Sequence, residues 1–288
     1  MNYSYMPGCS LLSTAKGYDT SARAVVKELG SELIELEDWN CCGANAIESV
    51  SYLLSVALPA RDLALAESTG WELVTSCSSC FLNLFKVNHR LQREPDLQGK
   101  MDEILGAAGL RYSGKTRVRH LLDVIANDIG VEAVANRVEK KLSGLKVVPY
   151  YGCQTVRPYG EYDGPYLPTS MDRLIEAVGA EPFPYLWKTR CCGGVLMTTE
   201  TEVGVKLIAE LLTAAHGADC IVTVCPMCQM NLDAYQGKIS SQLGIKIRIP
   251  VLFLTQLLGL AFGLPAQALL LDQNIVPVNG KLRQLQMA

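Results

Sequence analysis

The sequence predicts an α/β protein made of two homologous halves, each with a small, mainly parallel sheet flanked by helices and related by internal duplication. Segments with strand character alternate with amphipathic helical segments along the chain of 288 residues. The order of these segments, together with the spacing of the cysteines, occurs a second time in the second half. Strands joined through helices form parallel sheets, and such a repeat indicates duplication.

Ten of the eleven cysteines define the repeat. The first half reads C-x31-CC-x34-CxxC, and the second reads C-x37-CC-x32-CxxC. Neighbouring segments repeat too, since YMPGC resembles YYGC and VTSCSSCFLNL resembles VTVCPMCQMNL. The offsets between equivalent cysteines are 144, 150 and 148 residues, which is nearly constant and allows for small loop insertions. We therefore predict two cysteine-rich domains, residues 1–144 and residues 145–288.

The first half begins with the strand pattern NYSYM, which is followed by the amphipathic helix TSARAVVKELG ending at Gly30. SELIEL predicts a second strand, and residues 47–68 predict a long helix after the CC pair. WELVTS predicts a third strand that ends at Cys77, and FLNLFKVNHRL continues as a helix. Each cysteine motif therefore follows a strand.

The second half repeats this order. LKVVPYY predicts a strand before Cys153, SMDRLIEAVG predicts a helix, residues 201–215 predict another helix after the CC turn, and DCIVTV predicts a strand before Cys225. Ligands of open α/β sheets gather at the carboxyl ends of the strands, so the five cysteines of each half should converge there. The predicted cofactor and metal ligands are Cys9, Cys41, Cys42, Cys77, Cys80, Cys153, Cys191, Cys192, Cys225 and Cys228.

Composition and charge exclude several classes of function. The net charge of -3 provides no basic surface for sequence-independent binding of nucleic acid. The N-terminal residues MNYSYMPGCS lack the features of a secretory signal, so we expect a cytoplasmic protein. The apolar segment 251–264 is too short for a membrane span and contains Gln256, which predicts a buried helix or a docking surface instead.

Cytosolic thiols are kept reduced, so eleven cysteines indicate metal ligands or redox chemistry rather than structural disulfides. Zinc is one candidate, because CxxC pairs commonly supply its closed sites of four ligands. Each half offers five thiols, however, and adjacent cysteines suit a group with several metal atoms better than a single ion. These observations favour an iron-sulfur cluster and leave zinc as the alternative.

The motifs resemble the cysteine-rich (CCG) domain, and two tandem copies without a fused ferredoxin domain resemble the B-subunit family of heterodisulfide reductase. The resemblance covers essentially the whole chain, including ELEDWNCCGA, KTRCCGG, ADCIVTVCPMCQMNLD and PVLFLTQLLGLAFGL. The x34 and x32 spacings are slightly shorter than is usual in that family. The resemblance implies that the five cysteines of each half bind one noncubane 4Fe-4S cluster, with zinc in the N-terminal half as the alternative that some relatives suggest.

The resemblance also implies a function. In that family a substrate disulfide is cleaved between the two clusters, each taking one sulfur. Electrons arrive from two other subunits of the same complex, one ferredoxin-like and one flavin-containing. We therefore expect the catalytic subunit of an oxidoreductase that cleaves or forms a disulfide, either that of coenzymes M and B or another sulfur compound. The alternative is a noncatalytic electron-relay subunit of another oxidoreductase complex, as in related CCG proteins.

Few other residues are candidates for a functional role. Cys220 lies within a predicted strand, which is typical of a buried spare thiol. Arg157 and Arg190 follow or precede cysteine turns, where they are either anchors for substrate anions or ordinary surface cations. We place His89 and His120 in polar helical segments and His216 at a helix end, and we expect solvated or helix-capping roles for all three.

Overall fold

The computed structural model describes residues 1–44, 46–278, 280, 282 and 284. It contains two four-stranded parallel sheets with flanking helices, which confirms the predicted duplicated α/β fold. The predicted domain boundary precedes the first strand of the second sheet, which begins at Lys146. The last residues of the second predicted domain, 285–288, lie outside the described part of the chain.

The first sheet has the strand order β2-β1-β3-β4, and all its neighbours run parallel. Its strands are β1 (Asn2–Met6), β2 (Glu32–Glu35), β3 (Leu73–Thr75) and β4 (Val118–His120). The helices of this half are α1 (Lys16–Glu28), α2 (Ile47–Val50), α3 (Tyr52–Thr69), α4 (Ser78–Leu91), α5 (Pro95–Ala107), α6 (Leu121–Asp123) and α7 (Val131–Arg137), with a π-helical turn (Val124–Gly130) before α7.

The second sheet has the equivalent order β6-β5-β7-β8, again with parallel neighbours. Its strands are β5 (Lys146–Tyr150), β6 (Glu181–Pro182), β7 (Cys220–Thr223) and β8 (Val251–Phe253). The helices of this half are α8 (Ser170–Ala177), α9 (Leu196–Thr199), α10 (Thr201–Ala214), α11 (Pro226–Ala234), α12 (Gln236–Leu243), α13 (Leu254–Ala261) and α14 (Ala266–Leu269), followed by a 3-10 turn (Leu271–Gln273).

Both sheets have a switch in strand order next to their first strand. The chain leaves β1 toward β2 on one side and returns to β3 on the other, and β5, β6 and β7 repeat this path. A crevice opens at the carboxyl ends of the strands at such a point, and ligands of α/β sheets bind there. The residues after β1 and β3, and after β5 and β7, are therefore placed to line a site.

The hydrophobic core continues across the boundary between the halves. Helix α1 of the first half packs on α13 of the second, and α8 of the second half packs on α7 of the first. The rings of Tyr18 and Phe253 stack across this boundary with their centroids 4.2 Å apart. Two further clusters of buried side chains each lie within one half. The shared core fixes the two sheets relative to each other.

Two predicted elements differ from the structure. The long helix over residues 47–68 is interrupted at Ser51, where the backbone is extended and the hydroxyl accepts a hydrogen bond from Leu54 N at 3.3 Å. This N-cap starts α3 as a separate helix after α2. The apolar segment 251–264 is buried as predicted, but its first residues form the strand β8 before α13 begins. None of the helices in the described ranges is both long and apolar enough to cross a membrane.

Candidate metal centres

The five cysteines of the first half lie together at the carboxyl edge of the first sheet, and we name them the first quintet. Cys9 follows β1, and its Sγ lies 3.9 Å from Cys41 Sγ. Cys42 Sγ lies 3.3 Å from Cys80 Sγ. Cys77 follows β3 and is the N-cap residue of α4, on which Cys80 lies. Three connections of different length thus bring thiols to the same edge of the sheet.

The second quintet has the equivalent arrangement at the edge of the second sheet. Cys192 Sγ lies 3.5 Å from Cys228 Sγ. The thiols of Cys153 and Cys191 are neighbours, and each is the largest influence on the pKa of the other. Cys225 follows β7 and is the N-cap residue of α11. None of the eleven cysteines forms a disulfide bond in this structure.

The two quintets meet at the boundary between the halves. The buried thiols of Cys77 and Cys225 lie close enough across this boundary for each to shift the pKa of the other. This contact raises the pKa of the Cys77 thiol well above its usual value. Hydrogen bonds from Cys228 and then Cys77 hold the pKa of the Cys225 thiol well below its usual value. The two sites are therefore direct neighbours rather than distant copies.

Two other thiols have a lowered pKa, which favours the thiolate that binds metals. Hydrogen bonds from Cys41 and Cys80 lower the pKa of Cys42. A hydrogen bond from Cys153 lowers the pKa of Cys191. The guanidinium of Arg157 makes a smaller contribution in the same direction at Cys191. Each CC pair thus contains one thiol that is held in the form required of a ligand.

Glycines next to the leading cysteines leave room for the thiols. Gly8 and Gly152 have φ of +85° and +72°, a conformation that glycine adopts without strain. A Cβ on Gly8 would lie 3.0 Å from Cys80 Sγ, and a Cβ on Gly152 would lie 2.8 Å from Cys228 Sγ. Backbone and sulfur therefore approach as closely as glycine allows in both halves.

This crowding, with five soft thiol donors in each half, fits a sulfur-ligated group with several metal atoms. In the described residues, no three side chains of His, Cys, Asp or Glu are grouped as ligands of one metal ion. The thiols meet in pairs instead. The assignment of all ten as ligands stays a prediction.

The second quintet borders a cavity to which both halves contribute. Its walls include the second-half cysteines, Met227 and Gln154, together with Ser78 and Ser79 from the first half. Ser79 donates a hydrogen bond to Gln154 Oε1 at 2.5 Å. Serines between the two cysteines of the first CxxC motif thus form part of the second site.

The remaining candidates have structural partners. Cys220 is fully buried on β7, as predicted. Arg190 stacks on Trp187 and is paired with Glu210. Arg157 donates a hydrogen bond to the carbonyl of Thr189. These contacts favour a structural role for both arginines. The charge of Arg157 also contributes to the lowered pKa of Cys191.

The three histidines have different surroundings. His120 is not in a polar helix: it is fully buried at the end of β4, where its Nδ1 accepts a hydrogen bond from Leu122 N and caps α6. Its predicted capping role is confirmed, but its predicted segment is wrong. His89 contacts Arg93 near the end of α4, and His216 is exposed.

Two asparagines that the sequence analysis did not single out contact the cysteine loops. Asn83 and Asn231 each donate hydrogen bonds to the backbone of the CCG loop in their own half. Both occupy the same position of the repeat, three residues after the last cysteine in CxxCxxN. This shared position in the repeat is the sequence feature that could have identified both asparagines.

The family described as the cysteine-rich domain, CCG, matches residues 3–85 and residues 147–233. The chain therefore belongs to the CCG cysteine-rich domain family and contains two copies of that domain. This membership supports the prediction of iron-sulfur binding and of an oxidoreductase role.

Curated relatives narrow the resemblance. The chain is 33% identical to a protein of Archaeoglobus profundus described as similar to the heterodisulfide reductase B-subunit, over 91% of each chain. It is 29% identical to the B-subunit of a ferredoxin/F(420)H(2)-dependent CoB-CoM heterodisulfide reductase of Methanosarcina acetivorans, over 93% of this chain and 92% of the relative. The predicted resemblance to the heterodisulfide reductase B-subunit family is confirmed.

Two further similarities extend the comparison. The chain is 36% identical to the membrane anchor subunit of the 8-methylmenaquinol:fumarate reductase of Wolinella succinogenes, over 95% of this chain and 96% of that relative. The crystal structure of a hypothetical protein from Helicobacter pylori superposes with a TM-score of 0.76 at 18% identity. It covers 96% of this chain, which spans about half (52%) of that protein, and it supports the fold alone.

Proposed function

We propose that this chain is the catalytic iron-sulfur subunit of a heterodisulfide reductase-like complex. In this proposal the first quintet and the second quintet each hold one noncubane 4Fe-4S cluster. The substrate is a small disulfide, or the two thiols that form it, such as the heterodisulfide of coenzymes M and B. The named relatives from two archaea support the substrate class.

The observation that carries the proposal is the proximity of the buried thiols of Cys77 and Cys225, the N-cap residues of α4 and α11, across the boundary between the halves. It makes the two quintets immediate neighbours, so that groups held by both could act on the two sulfur atoms of one molecule. A relay does not require this symmetry, since one cluster per electron step is enough. The cavity lined by Ser78, Ser79 and Gln154 lies beside this contact and offers polar groups from both halves to a substrate.

The reaction adds two electrons and two protons to a disulfide, breaks its sulfur-sulfur bond and releases two thiols. When bound, iron-sulfur groups supply one-electron chemistry and metal sites for sulfur. The chain itself supplies the buried surroundings of the second quintet and the fixed spacing between the halves. The protons come from solvent. Electrons would come from the ferredoxin-like and flavin-containing partner subunits of a cytoplasmic complex.

Metal analysis of anaerobically purified protein tests the cofactor assignment. We expect about eight iron atoms per chain if both quintets hold 4Fe-4S groups. Cys77→Ser and Cys225→Ser should each lose iron, whereas Cys220→Ala removes a buried thiol outside the quintets and should retain it. Stoichiometric zinc without iron in the wild-type protein would contradict the proposal for both halves.

A second candidate is a noncatalytic relay subunit, which the similarity to a fumarate reductase subunit favours. EPR spectroscopy separates the two. Added heterodisulfide of coenzymes M and B should change the signal of the oxidised protein if the chain binds that substrate at its clusters. An unchanged spectrum at saturating concentrations of this compound and of other small disulfides would support the relay function instead.

A further inference from the structure

The same polar contact occurs within each half, although neither the cysteine motifs nor the fold requires it. Asn83 lies on α4 and Asn231 lies on α11, in each case one turn after the last cysteine of the CxxC motif. Asn83 Nδ2 is 3.1 Å from Cys42 O and 2.8 Å from Ala44 O. Asn231 Nδ2 is 3.2 Å from Cys192 O and 3.1 Å from Gly194 O.

The same amides also reach a sulfur atom. Asn83 Nδ2 lies 3.8 Å from Cys42 Sγ, and Asn231 Nδ2 lies 3.6 Å from Cys192 Sγ. An amide NH₂ has two hydrogens, so one can bond the second carbonyl while the other is shared between the cysteine carbonyl and its sulfur. In both halves this is the sulfur of the second cysteine in the CC pair. Agreement between two sequence-diverged copies argues against chance.

The loop that receives these bonds has an unusual backbone. Gly43 and Ala44 have φ of +80° and +45°, and their equivalents Gly193 and Gly194 have φ of +87° and +50°. Two successive residues with positive φ bring two carbonyls of the loop within reach of the same amide. These are the carbonyls of Cys42 and Ala44 in the first half and of Cys192 and Gly194 in the second. A residue with a Cβ is strained in this region and persists there only if its surroundings hold it. The hydrogen bond from Asn83 to Ala44 O therefore stabilises the most strained residue of the loop.

From this geometry we infer that Asn83 and Asn231 are positioning residues for the two metal centres. Each holds its CCG loop in the ligand conformation and donates an N-H to the sulfur of Cys42 or Cys192. This inference rests on the proposed iron-sulfur groups in both halves. A hydrogen bond to a ligand sulfur stabilises the more negative, reduced state of a cluster and therefore raises its reduction potential.

Redox titration followed by EPR tests this role in the whole protein. Asn83→Leu and Asn231→Leu replace the amide by an apolar side chain of similar shape that donates no hydrogen bond. Each should shift the potential of the cluster in its own half to a more negative value and leave the other unchanged. The matched control is Asn88→Leu on the same helix α4, because Asn88 also donates to a backbone carbonyl, that of Thr116 at 2.8 Å, but at a distance from the cysteines. It should leave both potentials unchanged. Wild-type reduction potentials in both Asn83→Leu and Asn231→Leu would overturn the inference.

A second measurement covers variants that lose their cluster. Replacement of a residue that hydrogen-bonds to a metal ligand typically lowers metal affinity by roughly 10- to 100-fold. Asn83→Ala should therefore lose iron from the first half. Adding Ala44→Gly to that variant should restore part of the iron, because it removes the strained Cβ and reproduces the CCGG loop of the second half. Equal iron content with and without Ala44→Gly would overturn the positioning role. A wild-type protein without iron would instead defeat the proposed function.

Discussion

Ser78 Oγ lies 2.6 Å from Thr155 Oγ1, and this hydrogen bond joins the CxxC turn of the first half to the loop that follows Cys153 in the second. Both side chains are fully buried. Thr155 also donates to Tyr151 O at 2.6 Å, so its oxygen accepts the proton of Ser78. One hydroxyl therefore ties together two cysteine turns that belong to different sheets.

Replacement of Thr155 by Val should destabilise the protein without a large change in volume. The substitution removes the acceptor of Ser78 and the donor to Tyr151 O, and a buried polar group left without its partner costs about 1–3 kcal/mol. Anaerobic urea denaturation measures the change. The control is Thr198→Val, because Thr198 is exposed on α9 and its hydroxyl donates to Val195 O within its own turn. Equal stability of the two variants would show that the contact between the halves contributes little.

Gly152→Ala should remove the metal group from the second half. The new Cβ would lie 2.8 Å from Cys228 Sγ, which is closer than real Cβ contacts, and φ at this position is +72°. We expect a loss of about half the iron. Gly30→Ala is a matched control, since Gly30 has the same φ of +72° but nothing within 4 Å of the added atom. It separates backbone strain from crowding of the sulfur, and equal iron loss in both would assign the effect to strain.

The cysteine pattern was sufficient to predict that the leading cysteine and the CxxC motif of each half follow the carboxyl ends of strands. Cys9, Cys77, Cys153 and Cys225 each follow a strand, and parallel strands bring their carboxyl ends to one edge. Because that inference needs only element order, it is insensitive to errors in the bounds of helices. The duplicated spacing of the two halves likewise predicts two equivalent sheets, and the structure contains them.

Other features depend on contacts that are distant in the chain. The strands β4 and β8 have three residues each, too few for an alternating pattern, and they form because β3 and β7 pair with them. The break at Ser51 interrupts a segment in which apolar residues continue on both sides of the break. Asn83 reaches the CCG loop only after α4 packs beside it, so its sequence position suggests nothing more than a polar helix residue.

Arg119→Met should destabilise the first half strongly. The guanidinium is 3% exposed and pairs with Glu72 at 2.9 Å, with Asp128 at 3.1 Å and with the buried Asp123. Removal of one partner from a buried ion pair leaves an uncompensated charge, which typically costs about 3–5 kcal/mol. Urea denaturation should show this loss.

The neighbouring Arg117 supplies the control for this substitution. Arg117 also pairs with Glu72, at 3.3 Å, but its side chain is 64% exposed. Exposed ion pairs contribute about 0–1 kcal/mol, so Arg117→Met should leave stability almost unchanged. If both variants lost the same stability, burial of the ion pair would not be the cause.

Burial of His120 should make the stability of the protein fall as the pH is lowered. Burial lowers the pKa of His120 to about 4, whereas an unfolded histidine has a pKa of about 6.5. Between these values the unfolded chain binds a proton that the folded chain does not, so folding is favoured above the higher pKa and loses stability below it. From about pH 7 to about pH 5 the loss from this one group is about 2 kcal/mol. Phe253 is the last residue of β8, as His120 is of β4, so His120→Phe introduces a side chain that the fold accepts at this position. The stability difference between wild type and His120→Phe, measured by urea denaturation at the two pH values, should shift by that amount in favour of the variant at the lower pH. A difference that does not depend on pH would mean that His120 takes up its proton in the folded protein as readily as in the unfolded chain.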